Sequence, residues 1–156
     1  MIARAGRLKV RPARPQDAEV VAWVVQESFR EYLRGERRPL SARLSPGKVR
    51  KQLKRGEKEY ALARLDEKPV GAIGVRKKGR AMLFGPVGVI PGHRAQGVGA
   101  ALLRWAQKRA AAAGCRELRA EVLWGLDSLV RYYRKRGFEI ERTPDGKTIA
   151  VKRVAR

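Results

Sequence analysis

The most informative stretch of this sequence is Gly85-Pro86-Val87-Gly88-Val89-Ile90-Pro91-Gly92-His93-Arg94-Ala95-Gln96-Gly97-Val98-Gly99. Its pattern is typical of a strand that ends, a loop, and a helix that begins within the glycine-rich part. The first amides of such a helix lack an internal partner and point outward with the positive end of the helix dipole. Gly97 and Gly99 let an anion approach this backbone without a Cβ in the way. The stretch therefore predicts a phosphate-binding loop at a helix N-terminus.

Three known phosphate-binding patterns can be tested against this loop. A P-loop requires G-x-x-x-x-G-K-[ST], and the sequence has no such string. A dinucleotide fingerprint requires a third glycine where Leu102 stands, and its turn after the strand is tighter than the roughly eight residues between Val89 and Gly97. Glu121 lies where a ribose-binding acid would lie, which is the one support for this alternative. The third pattern, [Q/R]-x-x-G-x-[G/A], fits Arg94 to Gly99 without change.

Periodicity and turn residues outside the loop predict the remaining elements. They are a strand Leu8–Val10, a helix from Pro15 to near Gly35, a helix from Ser45-Pro46 to Gly56, strands Tyr60–Leu65, Val70–Val75 and Met82–Val89, a helix from Val98 to Gly114, a strand Leu118–Leu123, a helix capped by Asp127 and running to Arg136, and strands Phe138–Ile140 and Thr148–Val151. This order predicts an α/β fold of the α+β type, with a mixed, mostly antiparallel twisted sheet of about six or seven strands flanked by about four helices. The length of the chain suits a single domain over residues 1–156.

Composition limits the classes of partner. The 156 residues carry 37 Lys and Arg against 15 Asp and Glu, a net charge of +22. Such a charge attracts polyanions, so it predicts either association with RNA or the ribosome or a basic surface that only keeps the protein soluble. No apolar run approaches the roughly 18–20 residues of a membrane span, which predicts a cytoplasmic protein without a membrane partner.

The rarest residue types add further limits. Cys115 and His93 are the only residues of their types, so a disulfide scaffold is excluded and a zinc site lacks ligands. We therefore expect no metal. The absence of Asn together with abundant Arg and Glu is typical of thermophilic proteins, although a GC-rich genome produces the same bias.

Two strings on either side of the loop carry a resemblance. Val87-Gly88-Val89-Ile90-Pro91 precedes Arg94–Gly99, and Tyr133-Arg134-Lys135-Arg136-Gly137-Phe138 follows much later. Together with the long helix up to Gly114, they resemble the GNAT superfamily of N-acetyltransferases, whose order of elements the whole chain shares. The alternative is a glycine-rich turn that merely connects a strand to a helix.

The resemblance implies acetyl-CoA as the acyl donor, lying where the fourth and fifth strands splay apart. Val87 to Val89 would hold the pantetheine arm through backbone hydrogen bonds, and the Val89 amide would polarise the thioester carbonyl. The loop would hold the pyrophosphate. The cofactor-binding residues implied in this way are Val87, Gly88, Val89, Arg94, Ala95, Gln96, Gly97, Val98, Gly99 and Ala100.

The resemblance also implies direct attack of a primary amine on the thioester, which requires a general base and a general acid. Tyr133 stands at the family's tyrosine position and is the candidate acid. Glu121 is the candidate base, directly or through water. Tyr133 could instead be a core aromatic residue, and Glu121 could be paired with a basic side chain.

Two departures from the family pattern are visible. Many relatives carry an Asn seven residues before the late tyrosine, where this chain has Leu126, so a contact to the CoA arm is lost or replaced. Relatives also often cap the first helix with Ser or Thr, where this chain has Arg14. Such a cap is worth about 1 kcal/mol of stability.

The resemblance leaves the acceptor amine open between a protein N-terminus, a lysine and a small amine. Family members contact the acceptor through the first two helices and the last hairpin. The first two helices and their connection are basic here, which predicts an amine attached to an anionic body and disfavours polyamines. The basic residues are Arg34, Arg37, Arg38, Arg43, Lys48, Arg50 and Lys51. The competing hypothesis is a CoA-binding or RNA-binding module without turnover. Dimers are common among similar proteins, so a homodimer is also an expectation.

Overall fold

The structure is a computed structural model that describes residues 7–34 and 39–154, without the side chains of Arg34 and Leu40. The helices are α1 (Ala18–Phe29), α2 (Pro46–Arg55), α3 (Val98–Ala112) and α4 (Asp127–Lys135). The strands are β1 (Leu8–Pro12), β2 (Glu59–Leu65), β3 (Lys68–Lys78), β4 (Ala81–Val89), β5 (Glu117–Glu121), β6 (Glu139–Arg142) and β7 (Thr148–Arg153). Short 3-10 turns occupy Pro15–Asp17, Arg30–Arg34, Leu40–Arg43 and Leu123–Gly125.

The seven strands form one mixed sheet in the order β1-β2-β3-β4-β5-β7-β6. β1 with β2, β5 with β7, and β6 with β7 are antiparallel, whereas β4 and β5 are parallel. The parallel ladder pairs Ala81–Leu83 with Glu117–Arg119 and ends there, although β4 continues to Val89. The fold class predicted from the sequence, a mostly antiparallel sheet with about four helices, is confirmed.

Local sequence explains why the elements begin and end where they do. The Ser45 hydroxyl caps α2 by accepting from the Lys48 amide at 3.1 Å, and Gly56 ends this helix in the left-handed region at φ 66. Asp66 and Glu67 both have positive φ, which fits a tight turn of type I′ between β2 and β3. At the start of the first helical segment, the Asp17 carboxylate accepts from the Arg14 amide at 2.8 Å.

The residues group into two compact units, and the chain passes between them after Gly74, Gly85 and Trp105. In the first unit, α1 and α2 cover β2 and β3. The buried cluster consists of Ala18, Val21, Ala22, Val24, Val25, Leu44, Val49, Tyr60, Leu62 and Ala72. This cluster anchors the helices of the first unit on one face of the strands.

The second unit is centred on aromatic rings. Phe84, Tyr133 and Phe138 are all buried, and their ring centroids lie 5.3–5.9 Å apart at tilted or edge-on angles. Such pairs contribute roughly 0.5–1.5 kcal/mol each beyond their buried area. The cluster therefore fixes the C-terminal end of α4 against β4 within this unit.

Several predicted boundaries are wrong or untested. α1 ends at Phe29 and a 3-10 turn continues to Arg34, so the predicted end near Gly35 lies outside the described residues. β5 ends at Glu121, and its predicted last residue, Leu123, begins a 3-10 turn. Asp127 is the first residue of α4, whose N-cap is Leu126, because Leu126 keeps a non-helical ψ of 128°.

Candidate active site

The end of β4 leaves one backbone edge available. The Ile90 amide donates to the Val70 carbonyl of β3 at 2.9 Å. Because neighbouring residues of a strand direct their backbone groups to opposite edges, the N–H and C=O of Val89 point away from β3. The Val89 carbonyl accepts there from Arg94 Nε at 3.2 Å. The Val89 amide thus lies on the same open edge as its carbonyl.

Positive φ angles shape the loop that follows. Ala95 has φ 64 and Gly97 has φ 81, which lie in the left-handed region of the backbone. For an alanine this conformation costs roughly 1–2 kcal/mol, and its sequence signal is weaker than that of a glycine. Residues 94–97 are exposed to solvent, and only Val98 is buried where α3 begins.

The first amides of α3 have no partner within the helix. The first bond inside this helix runs from the Ala101 amide to the Gly97 carbonyl at 3.0 Å. Within the described ranges, none of the amides from Arg94 to Ala100 donates to a protein acceptor. Exposed amides at a helix N-terminus bind anions, and phosphate most readily. The loop amides are therefore available to an anion, and their role in holding the pyrophosphate stays a prediction.

Two glycines bring the supporting elements close together. A Cβ at Gly71 of β3 would lie 2.8 Å from Val98 Cγ1 and 3.0 Å from Leu102 Cδ1. A Cβ at Gly88 would lie 2.5 Å from the Cβ of Ser28, which is buried on α1. Real Cβ atoms do not approach so closely, so only glycine lets α3 and α1 pack at these points.

The Arg94 guanidinium forms hydrogen bonds and an ion pair with other groups of the protein. Besides Val89, its Nη2 donates to the Ser28 carbonyl at 2.9 Å, and its Nη1 lies 2.5 Å from Glu31 Oε1. These bonds tie the loop to the C-terminal end of α1 and to β4. The family resemblance places Arg94 among the cofactor-binding residues. In the structure the Arg94 charge is paired with Glu31, and the residue holds the loop in shape.

Tyr133 lies on α4 in the aromatic cluster of the second unit. Its side chain is 6% exposed, and its hydroxyl has no hydrogen-bond partner in the part of the chain that the structure describes. Burial raises the pKa of Tyr133 well above its ordinary value, Tyr132 adds to the rise, and Arg136 opposes it. The hydroxyl is therefore a protonated donor at neutral pH.

Glu121 ends β5 with its side chain 56% exposed and 3.6 Å from Lys147 Nζ. An ion pair of this exposure contributes little to stability and leaves the carboxylate accessible. The pairing with a basic side chain matches the structural alternative stated for Glu121.

Comparison with known proteins identifies the family. The sequence matches the Acetyltransferase (GNAT) family over residues 19–138, which is most of the chain. The chain belongs to the GNAT family of acetyltransferases. Enzymes of this family are N-acetyltransferases, and their acyl donor is acetyl-CoA. A search of curated proteins finds no match.

Solved structures share the GNAT fold over nearly the whole chain. PaiA N-acetyltransferase from Thermoplasma acidophilum, in complex with coenzyme A, has a TM-score of 0.82 at 20% identity, covering 94% of this chain and 99% of its own. A GNAT acetyltransferase from Streptococcus pneumoniae has a TM-score of 0.73 at 22% identity, covering 96% and 100%. An aminoglycoside 6'-N-acetyltransferase complexed with coenzyme A has a TM-score of 0.70 at 14% identity, covering 95% and 98%. At these identities the likeness shows the fold.

The turn after β5 departs from regular backbone. Trp124 has φ 51 inside the 3-10 turn, and Gly125 follows with φ 61. Positive φ is costly for a bulky residue, and strained residues cluster at functional sites. Leu126, which stands where the resemblance implies an Asn, follows this turn directly. The sequence did not predict it, because the apolar run Val122-Leu123-Trp124 has the pattern of a continuing strand.

Some residues that support the loop after β4 were not identified from the sequence. Ser28 and Glu31 hold Arg94 although they lie far from it in the chain, and no local pattern marks such a contact. Gly71 could have been noticed, since a glycine inside a strand often marks a close backbone approach. No helix in the ranges 7–34 and 39–154 is long and apolar enough to cross a membrane.

Proposed function

We propose that this GNAT protein transfers the acetyl group of acetyl-CoA to a primary amine, with the diphosphate of CoA held by the backbone amides of the loop Arg94–Ala100. The observation that carries the proposal is that the amides of this exposed loop donate to no protein acceptor in the described part of the chain. The rigid support given by Gly71, Gly88 and the Arg94 contacts adds to it. A preformed donor array binds a diphosphate without first breaking protein hydrogen bonds.

The pantetheine arm is assigned to the edge of β4. The available edge at Val89 offers a backbone N–H beside the loop, and the amide suits the oxyanion that forms when the thioester is attacked. Val87 lies two residues earlier and directs its backbone groups to the same edge. Gly88 between them is fixed by its contact with Ser28.

The proton transfers are assigned to Tyr133 and Glu121. The amine nitrogen bonds to the acetyl carbon, the C–S bond breaks, and the nitrogen loses a proton while the thiolate gains one. Glu121 accepts the amine proton directly or through water. The protonated hydroxyl of Tyr133 donates to the sulfur as negative charge develops there. A donor without a competing protein partner suits this role.

The acceptor is proposed to be an amine on an anionic body, such as an acidic peptide, a ribosome-bound protein or a phosphorylated metabolite. Lys48 and Lys51 are exposed on α2, and Arg43 is exposed just before it. In the described part of the chain none of them forms an ion pair. Their field repels polycations and attracts anionic substrates.

Co-crystallisation with acetyl-CoA tests the cofactor site. We expect the diphosphate within hydrogen-bond distance of the amides of Gly97, Val98 and Gly99. A CoA bound elsewhere, or not bound, contradicts the proposal. The acceptor class is tested by a thiol-release assay with matched amines on anionic, neutral and cationic bodies. Preference for spermine-like cations contradicts the acceptor assignment alone.

A second candidate function is a CoA-binding or RNA-binding module without turnover. Leu126, in place of the Asn of many relatives, and the net charge of +22 favour it. It predicts CoA binding with no acetyl transfer to any amine of the panel. A cytoplasmic location, a homodimer and a thermophilic source stay predictions.

A further inference from the structure

A basic groove lies on β1 and β2, within the first unit. It has a volume of about 320 Å³ and is lined by Arg7, Lys9, Arg11, Leu62, Arg64, Asp66 and Glu67. The strand register places Lys9 opposite Arg64 and Arg11 opposite Leu62. These side chains therefore share one face of the two strands, with Arg7, Lys9 and Arg11 in one row and Arg64 beside Lys9.

The cations of the groove have no acidic partners. In the part of the chain that the structure describes, none of Arg7, Lys9, Arg11 and Arg64 forms an ion pair. Asp66 accepts from the Arg7 backbone amide at 3.1 Å, and with Glu67 it forms the turn that closes one end. The lining holds four cations against the two carboxylates of Asp66 and Glu67, so its net charge is positive and an anionic ligand would reduce the repulsion among the cations.

We propose that this groove binds the phosphodiester backbone of single-stranded RNA. Alternate residues of a strand lie roughly 6.6–6.8 Å apart, so Arg7, Lys9 and Arg11 can meet successive phosphates of an extended strand. The lining has no aromatic ring for stacking on bases, so binding is through phosphates and does not depend on base sequence. The carboxylates of Asp66 and Glu67 repel phosphates, so the bound strand should end before the turn that these two residues form.

The shape and lining favour RNA over a lipid surface. The groove is concave, and its one apolar lining residue, Leu62, is only 1% exposed. A membrane-binding face requires apolar side chains that enter the headgroup region. An acidic polypeptide has the right charge, and the experiment below separates it from RNA.

The test measures binding of fluorescein-labelled oligouridylate by fluorescence anisotropy over a range of KCl concentrations. The groove variant is Lys9→Gln/Arg11→Gln. The control is Arg104→Gln/Lys108→Gln, which also removes one arginine and one lysine charge, but from exposed positions on α3. We expect the groove variant to bind roughly tenfold more weakly, with the salt slope reduced by about 0.7 for each charge removed. The charge-preserving variant Lys9→Arg/Arg11→Lys should bind like the wild type.

Each other result overturns the proposal. Equal weakening by the control pair means that net charge alone attracts RNA. Unchanged binding by the groove variant removes the groove from RNA binding. If the groove variant loses binding of labelled polyaspartate or of phosphatidylglycerol vesicles but keeps that of oligouridylate, the groove takes an acidic polypeptide or a lipid surface. Thermal unfolding of both variants checks that they are folded.

Discussion

The loop Arg94–Ala100 and the C-terminal end of α4 offer two different kinds of donor. In the loop, the donors are backbone amides fixed by φ angles such as φ 81 at Gly97. At α4, the donor is one hydroxyl, on Tyr133, whose state depends on the rings packed around it. A backbone site is encoded by residues next to each other in sequence. A side-chain site depends on neighbours that the chain brings from far away.

Removal of the side-chain donor should have the largest effect. In Tyr133→Phe we expect kcat to fall by roughly 10²–10⁴, the usual contribution of a general acid. The affinity for CoA and the melting temperature should stay unchanged, because the hydroxyl has no partner in the described part of the chain. Steady-state kinetics, calorimetric titration with CoA and thermal unfolding measure these quantities.

Tyr132→Phe is the matched control for this experiment. Tyr132 is the adjacent residue, and its ring lies under the Arg136 guanidinium at 3.6 Å from the ring centroid, a contact that phenylalanine keeps. Its kcat should stay within a factor of about two of the wild type, well below the loss expected for a general acid. Equal losses in the two variants would show that the hydroxyl of Tyr133 has no special role.

A change in the loop backbone should have a smaller effect, and it should act on binding. At Gly97 an alanine pays roughly 1–2 kcal/mol for the left-handed conformation or forces the loop to change shape. We expect Gly97→Ala to weaken CoA binding by about tenfold. Gly56→Ala carries the same conformational cost at φ 66 and also has open space around it.

The two glycine variants distinguish the cost of the backbone conformation from an effect on CoA binding. Both should lower the melting temperature, while only Gly97→Ala should change the dissociation constant of CoA. If both variants bind CoA like the wild type, the amides of the loop do not hold the diphosphate.

The same contrast explains what the sequence could predict. The loop and the helix after it were predicted correctly because glycine spacing and helical periodicity are local signals. The pairing of Arg94 with Glu31 was not predicted, because it depends on how α1 meets β4 through Ser28 and Gly88. The turn at Trp124 was missed because a bulky residue with positive φ has no composition signal. The roles of Tyr133 and Glu121 came from the family resemblance and stay predictions.

The support of the loop can be tested with a smaller change. Glu31→Gln removes the ion pair with Arg94, in which both side chains are about half exposed. Such pairs contribute roughly 0.2–1 kcal/mol, so we expect the KM for acetyl-CoA to rise by no more than about fivefold, with kcat unchanged. Glu27→Gln is the control, since it removes the nearby pair with Arg30, also on the surface. A similar rise of this KM in both variants would mean that the loss of one negative charge near α1 causes the effect, and that the pairing of Glu31 with Arg94 does not.

The smallest expected effect is an absence of pH dependence. Burial raises the pKa of Tyr133, so the hydroxyl should stay protonated beyond pH 10, the ordinary pKa of tyrosine. An acid is lost only as pH rises through its own pKa, so kcat should show no descending limb below pH 10. A limb below this value that disappears in Tyr133→Phe would mean that bound CoA lowers the pKa of the hydroxyl. The surrounding rings would then not control the donor, and the contrast between a site made by local backbone and a site made by distant packing would fail at Tyr133.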